Sequence, residues 1–376
     1  MTEIKNQSRP YNIISSASFI CTVYNEEKSM PHFLRSFFEQ SSLPSEMIFV
    51  DGGSKDKTIE VIKDFFSLHI HENFKIKSLA LSDNLKPGLF EEEQASAFFL
   101  AFESLDHQPK NGINIKIFKK ENAGISEGRN IAISNASGEI ICVSDAGCVL
   151  DKNWISEITK FYLNSGSVFV CGGASQPIAL SYLEKLLSIC IMPSNKEIKP
   201  EKFMPSSRNL SFKKSVWQEV GGYPENLDFG EDMKLNFNIK KAGYEIIYNP
   251  QAIVYWRMRE NMALIFKQFF RYAKGDAKGK MYLHRHLIRI LSFLMFIAIL
   301  TAASLISPWI FIIYIPIFIL YIFKPSLRIS TAFKHIKNNG KRAMLKVSSL
   351  MLLPFMLLYI DTAKISGFFY GLVKSK

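Results

Sequence analysis

Two acidic clusters in this chain have the residue types and setting for chemistry. The first is Val143-Ser144-Asp145-Ala146-Gly147-Cys148, which follows the apolar run Ile140-Ile141-Cys142. The second is Phe229-Gly230-Glu231-Asp232, which opens a helix-like stretch. Carboxylates so placed suit two tasks. They supply hard oxygen ligands for magnesium or manganese, or they take a proton from an attacking hydroxyl. Acids in a helix's first turn are also favoured by the helix dipole alone. Two further polar segments follow apolar runs: Cys21-Thr22-Val23-Tyr24-Asn25-Glu26, and Val50-Asp51-Gly52-Gly53-Ser54.

The elements that must hold these residues alternate. Ser18–Val23 is apolar and β-prone, and Met30–Gln40 has helical spacing through Phe33, Leu34, Phe37 and Phe38. Met47–Val50 reads as a short buried strand and Thr58–Phe66 as a helix. Ile113–Phe118 and Glu139–Ser144 supply further strands, with a helix over Ile125–Ala136 between them and another over Asn153–Tyr162. Such alternation predicts an α/β fold, a parallel sheet under helices. Asp51 and Asp145 then fall at carboxyl ends of strands, where open α/β sheets bind ligands. The stretch Leu68–Gly112 interrupts the pattern. With Pro87-Gly88, Glu91-Glu92-Glu93 and an amphipathic piece over Gln94–Leu105, it reads as an insertion, a surface helix or a partner-binding flap.

The 376 residues suffice for one large domain plus an appendage. Net charge is +12, from 46 basic and 34 acidic residues. The basic residues cluster beside apolar runs, as at a cytoplasmic membrane face, so a bilayer and not nucleic acid is the expected partner. Cys21, Cys142, Cys148, Cys171 and Cys190 show no paired spacing and read as reduced core thiols. The first seventeen residues are polar and lack a signal-peptide core, so the N-terminal domain is expected to stay in the cytoplasm.

After Leu287 the composition changes. Leu287–Ile306 carries one charge, Arg289, and suits a helix across a bilayer core of roughly 30 Å. Ser307-Pro308 turns the chain and Trp309–Phe323 returns. Lys324–Lys346 then holds seven Lys or Arg and no acid, which places both ends of the pair on the cytoplasmic side. A third apolar stretch, Leu345–Val373, is broken by Pro354, Asp361 and Lys364, and could span, re-enter or lie in the interface. The expected layout is a tail over 1–17, a catalytic domain over 18–258, a basic juxtamembrane helix over 259–286 and a membrane region over 287–376 with two or three spans. A buried helical hairpin in a soluble protein is the alternative.

Six motifs in order resemble those of inverting glycosyltransferases of family 2. They are Thr22-Val23-Tyr24-Asn25-Glu26, Asp51-Gly52-Gly53-Ser54-Lys55-Asp56-Lys57-Thr58, Asn122-Ala123-Gly124 with Gly128-Arg129-Asn130, Asp145, Gly221-Gly222-Tyr223, and Gly230-Glu231-Asp232. The resemblance covers roughly Ala17 to Met281, apart from the insertion. It implies a GT-A fold, a Rossmann-like mixed sheet for nucleotide-diphospho-sugars, followed here by C-terminal transmembrane helices. It implies a nucleotide-sugar donor and an acceptor hydroxyl on a polysaccharide, a glycolipid or a lipid-linked glycan, with the catalytic domain on the cytoplasmic face of a multi-pass membrane protein. Asp51 would accept from a base N–H while Tyr24 and the Thr22 backbone form a flat wall. The alternative for Asp51 is a cap or Asx turn before Thr58, and for Glu26 a cap of the following helix. Arg129 matches a nucleotide-facing position, or is a solvated helix charge.

By the same resemblance Asp145 is the first residue of an Asp-x-Asp motif holding a manganese or magnesium ion at the leaving diphosphate. Gly147 stands where the second Asp is expected. Asp151 is a further candidate ligand or a helix cap, and Cys148 reads as packing. Asp232 matches the catalytic base, with Glu231 beside it orienting the site or acceptor. Ser207-Arg208-Asn209, read as part of a strand, and Arg257 are candidates for the acceptor or diphosphate. So are Gln268 and Arg271 of Gln268-Phe269-Phe270-Arg271-Tyr272, which resembles the Gln-x-x-Arg-Trp signature with Tyr for Trp and, three residues apart, shares a helix face. Two rivals remain: a catalytically silent scaffold subunit of the same fold, and a sugar-phosphate nucleotidyltransferase. The latter expects a Gly-rich, Lys/Arg-bearing loop after the first strand, where this chain has Tyr24-Asn25-Glu26.

Overall fold

The computed structural model describes residues 12–82, 96–104, 113–164 and 166–374; of residues 68–112 only backbone elements are described. Pro87-Gly88 and Glu91-Glu92-Glu93 lie outside the described residues. The chain divides into two compact units. One runs to Gln176 and resumes over Lys199–Trp256; the other joins Pro177–Ile198 to Arg257–Lys376. The helix-bearing segment Pro177–Ile198, expected inside the catalytic domain, thus belongs with the C-terminal unit.

The first unit is built on a mixed sheet. Strands β1 (Asn12–Val23), β2 (Ser42–Asp51) and β5 (Asn114–Lys119) are parallel neighbours, and β6 (Ile140–Val143) lies parallel to β1 on its other side. Winding therefore reverses at β1, and the switch point between β1 and β6 is where such sheets open a ligand crevice. Antiparallel β9 (Leu210–Lys213) and β8 (Val170–Ile178) continue beyond β6, and β10 (Ile246–Arg257) pairs antiparallel with β7 (Cys148–Leu150) at that edge. At the other edge β3 (Phe74–Ser82) and β4 (Ser96–Ser104) add two antiparallel strands. Most of the amphipathic piece Gln94–Leu105, in the insertion read as a surface helix or a partner-binding flap, is strand β4. Its run Phe98-Phe99-Leu100-Ala101-Phe102 suits strand pairing as well as a helix face.

Helices cover both faces. On β1, Phe19, Cys21 and Val23 enter one core and Ile20 the other, following the two-residue strand period. The first core is closed by α1 (Met30–Phe38), α2 (Thr58–Asn73) and α4 (Trp154–Asn164), with Trp154 wholly buried at its centre. The second is closed by α3 (Ile125–Ser134), α6 (Lys214–Glu219) and α7 (Glu231–Lys241). The five cysteines are unpaired, four of them buried in strands or at their ends.

The second unit holds α5 (Tyr182–Ile191), α8 (Met262–Lys278), α9 (Leu283–Leu305), α10 (Tyr314–Ala332) and α11 (Asn339–Lys374). Three segments are long and apolar enough to cross a bilayer: Leu283–Leu305, Ile315–Ala332 and Asn339–Lys374. The second apolar span starts and ends later than its apolar run suggests. Pro308 falls in a 3-10 turn, and α10 continues through Lys324 and Pro325 into the basic stretch. That stretch is therefore mostly helical and not a loop.

Candidate functional site

Asp145 leaves the end of β6 and Asp51 the end of β2, on one edge of the sheet, because Val23 pairs with Asp51 and Ile20 with Val143 across β1. Around Asp145 the motifs named above interlock. Arg129 on α3 donates to Asp145 Oδ1 at 2.9 Å and to Glu231 Oε1 at 2.7 Å. The guanidinium also lies 5.1 Å from the centre of the Tyr223 ring. It is 2% exposed, so it is no solvated helix charge. Burial pulls its pKa down, but Asp145, Tyr223, Glu231 and Asp232 outweigh that and hold it charged. Both of its amino groups thus lie on carboxylates.

The turn that presents Tyr223 is pinned by the next residue of α3. Asn130 Oδ1 accepts the Tyr223 N–H at 2.9 Å and the Trp217 Nε1–H at 3.0 Å, and its amide donates to the Tyr223 carbonyl at 2.9 Å. Gly221 and Gly222 have φ of +79° and +73°, and a Cβ on Gly222 would stand 2.9 Å from Asn130 Oδ1. Only glycine meets both conditions without strain. Tyr223 in turn shares a 2.8 Å hydrogen bond with Ser207.

Ser207-Arg208-Asn209 forms a 3-10 turn that leads into β9, where the sequence suggests strand. Two anchors fix it. Ser144 donates to the Arg208 carbonyl at 2.8 Å, and the buried Asn209 amide donates to the Ala174 and Ala252 carbonyls while accepting from Trp154. Arg208 consequently lies with its Nε 3.9 Å from Asp145 Oδ2 and its guanidinium 3.8 Å from the Trp256 ring centre. Asp145, whose side chain is 32% exposed, thus faces two guanidinium groups. Trp256, near the end of β10, was not picked out as a site residue, and Tyr223 was marked only as part of the Gly221-Gly222-Tyr223 motif.

Glu231 and Asp232 begin α7, and Gly230 before them adopts a left-handed φ of +77°. Burial and the neighbouring Asp232 push the Glu231 carboxyl pKa up against the pull of Arg129. Asp232 is less buried, and its Oδ1 accepts the Met233 N–H at 2.8 Å.

The remaining candidates divide. Asp51 is wholly buried and accepts the Ser54 N–H at 3.1 Å and the Ser54 hydroxyl at 2.5 Å, which is the Asx turn weighed above. An ionised carboxylate has about four lone-pair sites, so this turn does not exhaust it. Asn25, at φ +55°, ties the turn to the β1 loop by donating its N–H to Ser54 and accepting from the Lys55 N–H. Tyr24 is 58% exposed and touches the edge of Gly52. Thr22 packs its methyl under Gly128. The Glu26 carboxylate accepts from the Ser29 hydroxyl at the start of α1, and its backbone carbonyl accepts the Met30 N–H at 2.9 Å. Asp151 accepts the Asn153 N–H at 3.1 Å and caps α4, and Cys148 is buried with its thiol pKa pushed up to about 12 by burial and Asp145. In the second unit, Arg257 pairs with Glu184 and Glu260. Gln268 is buried, accepts from Arg259 Nε at 3.1 Å and donates to the Tyr272 hydroxyl, whereas Arg271 is exposed.

This arrangement sets an arginine, Arg208, beside a part-exposed carboxylate, Asp145, that could hold a cation, with the Glu231-Asp232 pair joined to it through Arg129. The family model described as glycosyl transferase family 2 matches residues 18–88 and 103–210, and that of glycosyl transferase family group 2 matches 180–360. The chain belongs to glycosyltransferase family 2. It is 22% identical over 250 residues to the O-antigen chain rhamnosyltransferase RfbN of Salmonella typhimurium, covering 63% of this chain and 65% of that one. It is 24% identical over 269 residues to the poly-beta-1,6-N-acetyl-D-glucosamine synthase of Staphylococcus epidermidis, covering 70% of this chain and 55% of that one. The chain therefore spans less than two thirds of the length of these relatives. Among solved structures it resembles the mannosyltransferase PcManGT from Pyrobaculum calidifontis in complex with GDP-Man and Mn2+. The TM-score is 0.54 at 14% identity, covering 98% of this chain and 92% of that one, and the shared fold is GT-A.

Proposed function

We propose that this family 2 member is a membrane-bound inverting glycosyltransferase. It moves a sugar from a nucleoside-diphosphate donor to a hydroxyl of a polysaccharide, glycolipid or lipid-linked glycan at the cytoplasmic face. The observation that carries this reading is the Arg129 bridge, which joins the strand-end Asp145 to the helix start bearing Glu231 and Asp232. A bridge of this kind fixes the donor's anion site and the candidate base in one geometry, as transfer requires.

The donor base would lie on Tyr24 with the Asp51 turn at its edge, and the diphosphate beside Arg208 and Asp145. Among the described residues no three His, Cys, Asp or Glu side chains gather as a metal cluster. A Cβ on Gly147 would meet nothing within 4 Å, so the second Asp-x-Asp position is open space. These residues fit a manganese or magnesium ion held by Asp145 and by the donor's own phosphate oxygens. Such an ion, when bound, neutralises charge on the leaving diphosphate.

Asp232 takes the proton from the acceptor hydroxyl. That oxygen attacks the anomeric carbon, the bond from that carbon to the diphosphate oxygen breaks, and its electron pair leaves on the nucleoside diphosphate, with inversion. Glu231 is the less accessible of the two, buried and with an oxygen on Arg129. Its part is to hold Arg129, and through it Asp145. Asp232→Asn keeps the shape and removes the base. It should lower transfer by about 10²–10⁴ while leaving nucleotide affinity unchanged, read by product formation and calorimetry on the same preparation. Unchanged transfer would remove Asp232 from the role of base.

A further inference from the structure

We infer that α11 does not cross the bilayer but lies along it, with an apolar stripe in the lipid of one leaflet. By length and composition this helix qualifies as a span. Its 36 residues, at about 1.5 Å each, extend about 54 Å, well beyond the roughly 30 Å of a bilayer core.

The helix is held at both ends by elements of one side. In its first half, the Ser349 hydroxyl meets Tyr182 on α5 at 3.2 Å, and Leu353 packs into one cluster with Ile189 of α5 and Phe333. In its second half, Tyr359 donates to the Met262 carbonyl on α8 at 3.1 Å. Gly367 and Gly371 approach the Phe270 and Lys274 carbonyls so closely that a Cβ would stand 2.1 Å and 2.7 Å away. Residue numbers rise together along both helices, so α11 and α8 run parallel. Helix α5 follows β8 after three residues and α8 follows β10 after four. Arg257, just ahead of α8, pairs with Glu184 of α5 at 3.6 Å, so the two helices start at one level. A helix seated on α5 early and on α8 late has both ends at that level.

The connections agree. Helix α9 starts beside α8, and with α10 forms an out-and-back pair. Arg289 of α9 and Tyr321 of α10 both bind Asp361 of α11, at 2.7 Å and 2.8 Å, so the hairpin rises from the α11 layer. Arg328, late in α10, reaches Glu197 and the Ile189 carbonyl, back at the α5 level. The outer face of α11 is apolar through Met344, Val347, Met351 and Phe355 and again at Phe369 and Val373, all largely exposed, with only Thr362 and Ser366 as exposed polar residues between them. Lys341, Arg342 and Lys346 near its start, and Lys374 at its end, are placed for anionic headgroups. A lipid leaflet matches an apolar stripe that runs on both sides of Pro354 and adjoins two apolar helices.

Spin labels at Met344→Cys, Phe355→Cys and Phe369→Cys, in a Cys190→Ser background reconstituted in phosphatidylglycerol-containing vesicles, test this. The first and last sites are about 38 Å apart along the helix. Oxygen and nickel accessibility should give one shallow depth for all three. A graded depth, deepest at Phe355, would make α11 a span, and labels shielded from both probes would mean a protein partner covers the stripe; either overturns the proposal. Alkaline phosphatase, which needs disulfides formed outside the cytoplasm, should stay inactive when fused after Lys376, and activity there would also overturn it. None of these readouts depends on sugar transfer.

Discussion

At the scale of single residues, Arg129 does the most. A buried cation is tolerated because two carboxylates and an aromatic face surround it. Removing it strands both acids, one of them nearly buried. Arg129→Met should therefore cost about 3–5 kcal/mol of stability, the usual penalty for breaking a buried pair from one side. Denaturant melts of the detergent-solubilised protein would show this, and a loss under 1 kcal/mol would mean that water reaches the cluster. Arg129 was legible as a site position through the Gly128-Arg129-Asn130 motif. Its partners were not, since neither local period nor spacing shows which acids a helix residue will meet a hundred positions away. Asp145 and Asp232 were found by type and setting and Tyr223 by its motif, whereas Trp256 looks like an ordinary aromatic until the fold brings an arginine onto it.

At the scale of elements, the sheet depends on close approaches that exclude larger side chains. Gly173 of β8 is the tightest: a Cβ there would lie 2.1 Å from the Ala252 carbonyl and 2.5 Å from Asn209 Oδ1. Asn209 is the anchor beside Arg208, so Gly173→Ala should both destabilise the sheet and loosen the site. Overpacking of this kind costs typically about 1–3 kcal/mol. The expected outcome is a lowered melt with nucleotide affinity lowered as well; a melt unchanged from wild type would contradict the packing described. The strands and helices from Ser18 to Phe66 were readable because apolar periods and polar strand ends agreed. The two strands after α2 were not, since a run such as Phe98–Phe102 satisfies a buried strand and a helix face alike. The short antiparallel β9 escaped for another reason: four residues are too few for any period to show.

At the scale of the whole molecule, the chain pairs a GT-A unit with a unit of apolar helices, and the second family match, over 180–360, runs through that second unit. The apolar runs announced α9 and α10 from composition alone. Composition could not announce that Pro177–Ile198 belongs with them, because α5 is amphipathic and sits between two strands in sequence. Nor could it say what Leu345–Val373 does, since length and hydropathy are the same for a span and for a helix lying flat. The seating of Ser349 and Leu353 on α5 together with that of Gly367 and Gly371 on α8 is what favours the helix lying flat.

The central claim is that the Asp145, Arg129 and Arg208 cluster receives a nucleotide diphosphate. Calorimetric titration of the detergent-purified full chain with UDP, GDP and dTDP, each with and without manganese, tests it most directly. One nucleotide should bind, and Arg208→Ala and Asp145→Asn should each weaken it at least about tenfold, or 1.4 kcal/mol. Failure of all three to bind under every condition, or binding indifferent to both substitutions, would contradict the account.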